Sequence, residues 1–103
     1  MRHPGKVSAI NYKGVWVFNG EGAQFPSAVF RDLAAAQTWI KSNELSEILT
    51  KYPLDTPLID WAKERGIFEA KKSNHNTSTF IQRFTCASLE HYHFENGESG
   101  PLI

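Results

Sequence analysis

Apolar and polar positions change period four times along this chain. Val15, Trp16, Val17 and Phe18 form an unbroken apolar run of β-branched and aromatic residues, which predicts a strand buried on both faces. Asn19-Gly20 follows, a dipeptide whose residues both tolerate positive φ, and Gly22 adds a second permissive position. Ala28-Val29-Phe30 resumes an apolar strand. Pro26, which has no N–H to donate to a ladder, belongs at the strand start, at an edge or at a bulge. The stretch from Gly14 to Phe30 therefore reads as a β-hairpin around which the chain is organised.

Before the hairpin, Val7 to Tyr12 is compatible with a strand. After it, the period becomes helical. Asp32 is placed to cap a helix carrying Leu33, Ala36, Trp39 and Ile40, and Asn43 to end it in the left-handed conformation. Leu45 to Tyr52 fits either period. Asn43 and Ser46 interrupt a helix and Tyr52 precedes proline, so a strand is preferred. Thr56-Pro57 opens a second helix, with threonine as cap and proline at the first helical position. Leu58, Trp61 and Ala62 share a face, and Gly66 is the stop. Residues 69–79 are polar and read as a mobile loop. Phe80 to Phe94 fits two readings. Phe80, Gln82 and Phe84 alternate as a strand would, while Phe80, Ile81, Phe84 and Ala87 fall at helical spacing. Strands are preferred because Thr, Phe, Ile and Tyr dominate and Thr85-Cys86 makes a poor helix interior. Residues 95–98 form a turn. The expected fold class is α+β: one compact domain over residues 1–103, an antiparallel sheet built on a central hairpin with two helices packed on it, and loose ends at 1–6 and 99–103.

Composition narrows the function classes. Lys plus Arg number 11 and Asp plus Glu number 11, so net charge points neither to phosphate-backbone binding nor to a strongly acidic nucleic-acid mimic. The longest basic run is Lys71-Lys72. A single cysteine, Cys86, cannot form an internal disulfide, which suits a reducing, cytoplasmic setting. No signal peptide and no transmembrane run is expected.

Candidate chemistry is sparse. Asn19-Gly-Glu-Gly22 lacks the lysine and the serine or threonine of a phosphate loop and leads into a strand, not a helix. His91 and His93 in a strand would project from one face and could share a transition metal, a weak alternative because a third protein ligand is needed. Glu90 and Glu95 are wrongly placed for it, His75 lies in the loop and His3 at the terminus. Cys86 and His91 would face opposite sides of a strand, so a nucleophile–base pair is not favoured. No catalytic residue and no cofactor is implied. Trp16, Trp39 and Trp61 read first as core, although aromatic side chains are also enriched at interfaces.

Val15-Trp-Val-Phe18, Gly20-Glu-Gly22, Ala28-Val-Phe30 and Trp39-Ile40, continued by Leu49-Thr-Lys-Tyr-Pro-Leu-Asp55 and Asp60-Trp-Ala62, carry a resemblance. They resemble a family of short bacterial domains of unknown function, over roughly half of the chain. The resemblance brings no catalytic residues. Small, cysteine-poor bacterial proteins of this type are frequently immunity or antitoxin proteins that bind one toxin and occlude its active site, an analogy of type rather than of motif. The expectation is accordingly a cytoplasmic protein-binding domain, monomeric or a weak homodimer, whose partner is a toxin domain and not a nucleic acid or a membrane; the alternatives are a small metal-binding protein or enzyme using His91 and His93, or a structural homodimeric subunit. Its first contact candidates are Glu21, Phe25, Asp55, Asp60, Trp61, Lys71, Lys72 and His75.

Overall fold

The computed structural model describes residues 12–99. The strand expected over Val7–Tyr12 and the loose end at 1–6 lie outside them, apart from Tyr12, which sits in a bend; of 99–103 only Ser99 is described. The fold is α+β. Its sheet is antiparallel with five strands, β1 (Gly14–Gly20), β2 (Ala28–Phe30), β3 (Glu47–Pro53), β4 (His91–Glu95) and β5 (Glu98–Ser99), in the order β2-β1-β3-β4-β5. The described residues also hold three α-helices, α1 (Leu33–Ser42), α2 (Leu58–Glu64) and α3 (Ser78–Arg83), where the sequence predicts two. The described residues divide into two compact units, Gly14–Tyr52 with 90–99, and Pro53–Leu89 with 12–13.

The first unit holds the sheet and α1. Register follows from burial. Trp16 pairs with Phe30, Phe18 with Ala28 and Leu49 with Tyr92, which puts these side chains on one face. Ala36 and Ile40 of α1 complete a core with Trp16, Phe18, Leu49 and Phe94, and Trp39 meets Phe18 edge-on at 5.6 Å. Val15 and Val17 are only half-buried, so the apolar run is buried on one face and not on two. The β1–β2 hairpin also lies at the sheet edge; β3 is the central strand. The end of β1 meets the start of β3, where the Glu21 N–H donates to the Ser46 carbonyl at 3.0 Å.

Asp32 takes the N-cap position of α1, but its side chain makes no capping hydrogen bond. At the other end Asn43 has φ −104°, and the left-handed residue is its neighbour Glu44 at φ 53°. Asn43 instead uses its side chain, donating from Nδ2 to the Trp39 carbonyl at 2.9 Å. An asparagine can satisfy a helix end through its amide, which leaves the turn itself to the next residue.

In the second unit, α2 begins one residue later than the sequence suggests, with Pro57 as N-cap; the Thr56 hydroxyl donates to the Leu54 carbonyl at 3.1 Å. Gly66, at φ 72°, follows the end of α2. Trp61, Ala62 and Leu89 form this unit's core, with Phe68, Phe84 and Cys86 packed against it. The segment 69–79 contains a 3-10 turn, Ser73–Asn76. The strand expected over Phe80–Phe84 is instead part of α3 and its cap. The Thr77 hydroxyl accepts from the Phe80 N–H at 3.3 Å, a local helix start that outweighs β-propensity. Phe80 and Phe84 both reach Phe68, with ring centroids 5.7 and 5.0 Å away. The later part of the same stretch is a strand, β4, as expected.

Candidate binding site

The eight contact candidates fall in both units. Glu21 and Phe25 belong to the loop joining β1 to β2, and both are exposed, Phe25 at 72%. The other six lie in Pro53–Leu89. Asp55 is exposed in a turn with φ 55°, and Asp60 is exposed in the first turn of α2. Trp61 is 2% exposed, so its ring is a core group and is not available to a partner. A helical face shared with Leu58 and Ala62 is where a core residue belongs, and Ala62 and Leu89 share that core with it. Lys71 is exposed and pairs with Glu69 at 3.4 Å, and Lys72 is exposed. His75 is half-buried and structural in its contacts. Its Nδ1 accepts from the Lys71 and Lys72 N–H groups at 3.2 and 3.3 Å, and its ring stacks on Phe80 at 4.6 Å.

His91 and His93 are both exposed on β4, paired with Thr50 and Ile48. His93 Nε2 lies 3.8 Å from Glu47 Oε1. Among the described residues, no group of three His, Cys, Asp or Glu side chains is placed to hold a metal ion.

The feature that sequence reasoning missed is a concavity of about 530 Å3 in the first unit. Ala23 and Ser27 of the β1–β2 loop form part of its wall, beside the exposed Phe25. Half-buried Trp39 supplies aromatic surface, half-buried Leu45 adds to it, and the core residue Phe18 lies behind them. Glu21 and Glu44 are the two charged residues in its lining. The C-terminal end of α1 also opens here, at Asn43. Asn96 anchors to this region through its N–H, which donates to Ser46 Oγ at 2.9 Å. Only Glu21 carried a signal in the sequence, as a charged hairpin tip. The pocket joins residues 18 to 96, and no local pattern reports that closure.

Next to this core, the Tyr92 hydroxyl donates to Glu90 Oε2 at 3.0 Å. That hydrogen bond, then burial, then the carboxylate's charge raise the phenol pKa above its ordinary 10.0. The folded state therefore favours the protonated phenol. Its contribution to stability is complete below pH 10.0 and is lost as pH rises through the higher folded value. The phenolate titration of the wild type minus that of Tyr92→Phe is expected to be one step displaced above pH 10.0, read by ultraviolet absorbance. A difference step at or below that value would contradict the assignment.

Residues 15–100 match the family model described as a domain of unknown function, DUF7710. The chain belongs to the DUF7710 family. Neither a curated protein nor a solved structure matches it. The DUF7710 match takes in the β1–β2 loop, the concavity beside it and the whole of Pro53–Leu89. Among the described residues of this DUF7710 chain, no helix is long and apolar enough to cross a membrane.

Proposed function

We propose that this domain is a protein-binding module of the cytoplasm, acting as an immunity or antitoxin protein that holds a toxin domain and covers its active site. Phe25 carries the binding part of the reading. An aromatic side chain 72% exposed at a loop tip is a ready anchor for a partner's pocket, and it gains most of its burial only on association. Val29, 63% exposed, lies close by in sequence on β2, which is an edge strand among the described residues, and an edge offers main-chain groups for pairing. The toxin as partner rests on the analogy with small, cysteine-poor domains of this type. The equal numbers of acidic and basic residues fit a partner that is not strongly basic.

The test is affinity capture by the tagged full chain from the cytosol of its own source, followed by reconstitution with the captured protein. A stoichiometric complex whose formation abolishes the partner's toxicity is expected. Phe25→Ser should weaken the complex about ten- to thirtyfold while leaving the melting curve in place, because the ring is exposed and anchors of this kind dominate interfaces. A captured partner without toxic activity would overturn the immunity form. Unchanged affinity in Phe25→Ser would remove the loop from the interface.

A further inference from the structure

We infer that the concavity beside the β1–β2 loop is a receptor for a guanidinium group, the side chain of an arginine presented by the partner. The inference rests on the protein-binding reading for its ligand's source, and on the pocket itself for its chemistry.

Three features of the wall converge on that ligand. The charged residues of the lining are Glu21 and Glu44, both acidic, and no lysine, arginine or histidine shares the surface with them. Among the described residues neither carboxylate is engaged in an ion pair. They come from different elements, the β1–β2 loop and the turn after α1, so they form the two acidic parts of a single wall. Half-buried Trp39 supplies π surface, and a tryptophan face is the preferred aromatic partner of a cation. The C-terminal end of α1, at Asn43, carries the negative end of the helix dipole, which favours a cation and disfavours an anion.

Arginine fits better than lysine. Its planar group stacks on an aromatic ring while its five N–H donors reach acceptors in the same plane. The lining includes two carboxylate side chains, Glu21 and Glu44, and two amide side chains, Asn43 and Asn96. A compact ammonium could meet one of these acceptors but could not stack flat while doing so. Phe25 lies between Ala23 and Ser27, which both belong to the wall, so one partner can engage the exposed ring and the pocket together.

Nα-acetyl-arginine N-methylamide is the probe, titrated into the isotope-labelled full chain and followed by amide and indole NMR shifts. Its neutral isostere, Nα-acetyl-citrulline N-methylamide, is the control. Saturable shifts at the Trp39 indole and the Glu44 and Leu45 amides are expected, with a dissociation constant on the order of millimolar for the free probe. The isostere should not saturate over the same range. The double variant Glu21→Gln/Glu44→Gln should weaken the probe about five- to tenfold, and salt should do the same. Equal binding of both compounds, shifts away from the pocket, or indifference to the double variant would overturn the assignment. Its failure is separable from that of the binding reading. A partner complex that forms while the probe never saturates removes the pocket alone; a probe that saturates while no protein complex can be captured removes the partner alone.

Discussion

Phe18→Ala is expected to lower the free energy of unfolding by about 3–5 kcal/mol, the range for deleting a buried phenyl ring. Phe18 is 1% exposed and sits in the sheet–helix core with Trp16, Ala36, Ile40, Leu49 and Phe94. Its ring meets Trp39 edge-on at 5.6 Å, a contact that adds to simple burial. It also backs the hairpin turn: a Cβ on Gly20 would lie 3.1 Å from Phe18 Cε2. The surrounding groups come from β1, α1, β3 and β4, and the strands among them are fixed by ladder hydrogen bonds. They cannot close inward together, so the cavity term stays near its full size. Phe18→Leu keeps most of the volume and should cost about 1 kcal/mol. Val17→Ala, one residue along but on the half-buried face, should also fall well below the Phe18→Ala loss. Urea unfolding checks all three, read from midpoints at constant slope. A Phe18→Ala loss below about 1 kcal/mol would mean that this ring is not a core element.

Local signals were sufficient where one residue decides one turn or one face. Asn96-Gly97 at the β4–β5 turn and Gly66 after α2 take the positive φ that their residue types permit. The proline after Tyr52 and the interruptions at Asn43 and Ser46 correctly favour β3 over a helix. Failures occur where two local rules compete or where the deciding contact is distant. Val15 to Phe18 has the composition of a strand buried twice over, yet one face of β1 stays half-open because α1 packs on the other. Nothing in those four residues states how many layers the sheet has. Phe80 to Phe84 has strand propensity, but Thr77 caps a helix and Phe68 receives two of its rings. Phe68 lies twelve residues upstream of Phe80, beyond any local period.

The candidate site divides in the same way. Glu21 is readable as exposed because a glycine-bearing loop between strands leaves little to cover it, whereas the exposure of Phe25 emerges only from the structure. Trp61 is not readable: a tryptophan on a helix serves equally as core or anchor until its face is known, and here it meets Tyr12 edge-on at 5.1 Å inside the core. The concavity is the least legible feature. It requires the hairpin loop, the end of α1 and the turn at Asn96 to meet, and that meeting depends on the strand order.

Gly97→Ala is the test of that meeting, with an expected loss of about 2–4 kcal/mol from backbone strain and crowding together. Gly97 is buried, at φ 91°, a conformation that side chains other than hydrogen rarely adopt. Its N–H donates to the Leu45 carbonyl at 2.8 Å, which ties the β4–β5 turn to the segment between α1 and β3. An added Cβ would lie 3.1 Å from both Lys41 Cα and the Lys41 carbonyl oxygen, and 3.2 Å from Glu44 Cα. All three are backbone atoms, so no side chain can swing aside to make room. Gly22→Ala separates the two contributions, because Gly22 has φ 75° but open space around its Cβ position. It should lose about 1–2 kcal/mol from conformation alone. The excess at Gly97 is then the crowding against the end of α1, and equal losses would show that the turn does not press on that helix. Because Glu44 is one of the atoms' hosts and also one of the two carboxylates of the pocket, Gly97→Ala should shift the Glu44 and Leu45 amide resonances in the folded protein, whereas Gly22→Ala should leave the Leu45 amide in place. The stability of the turn and the shape of the pocket thus depend on the same few backbone contacts, and a substitution with no side chain in the pocket is expected to reshape it.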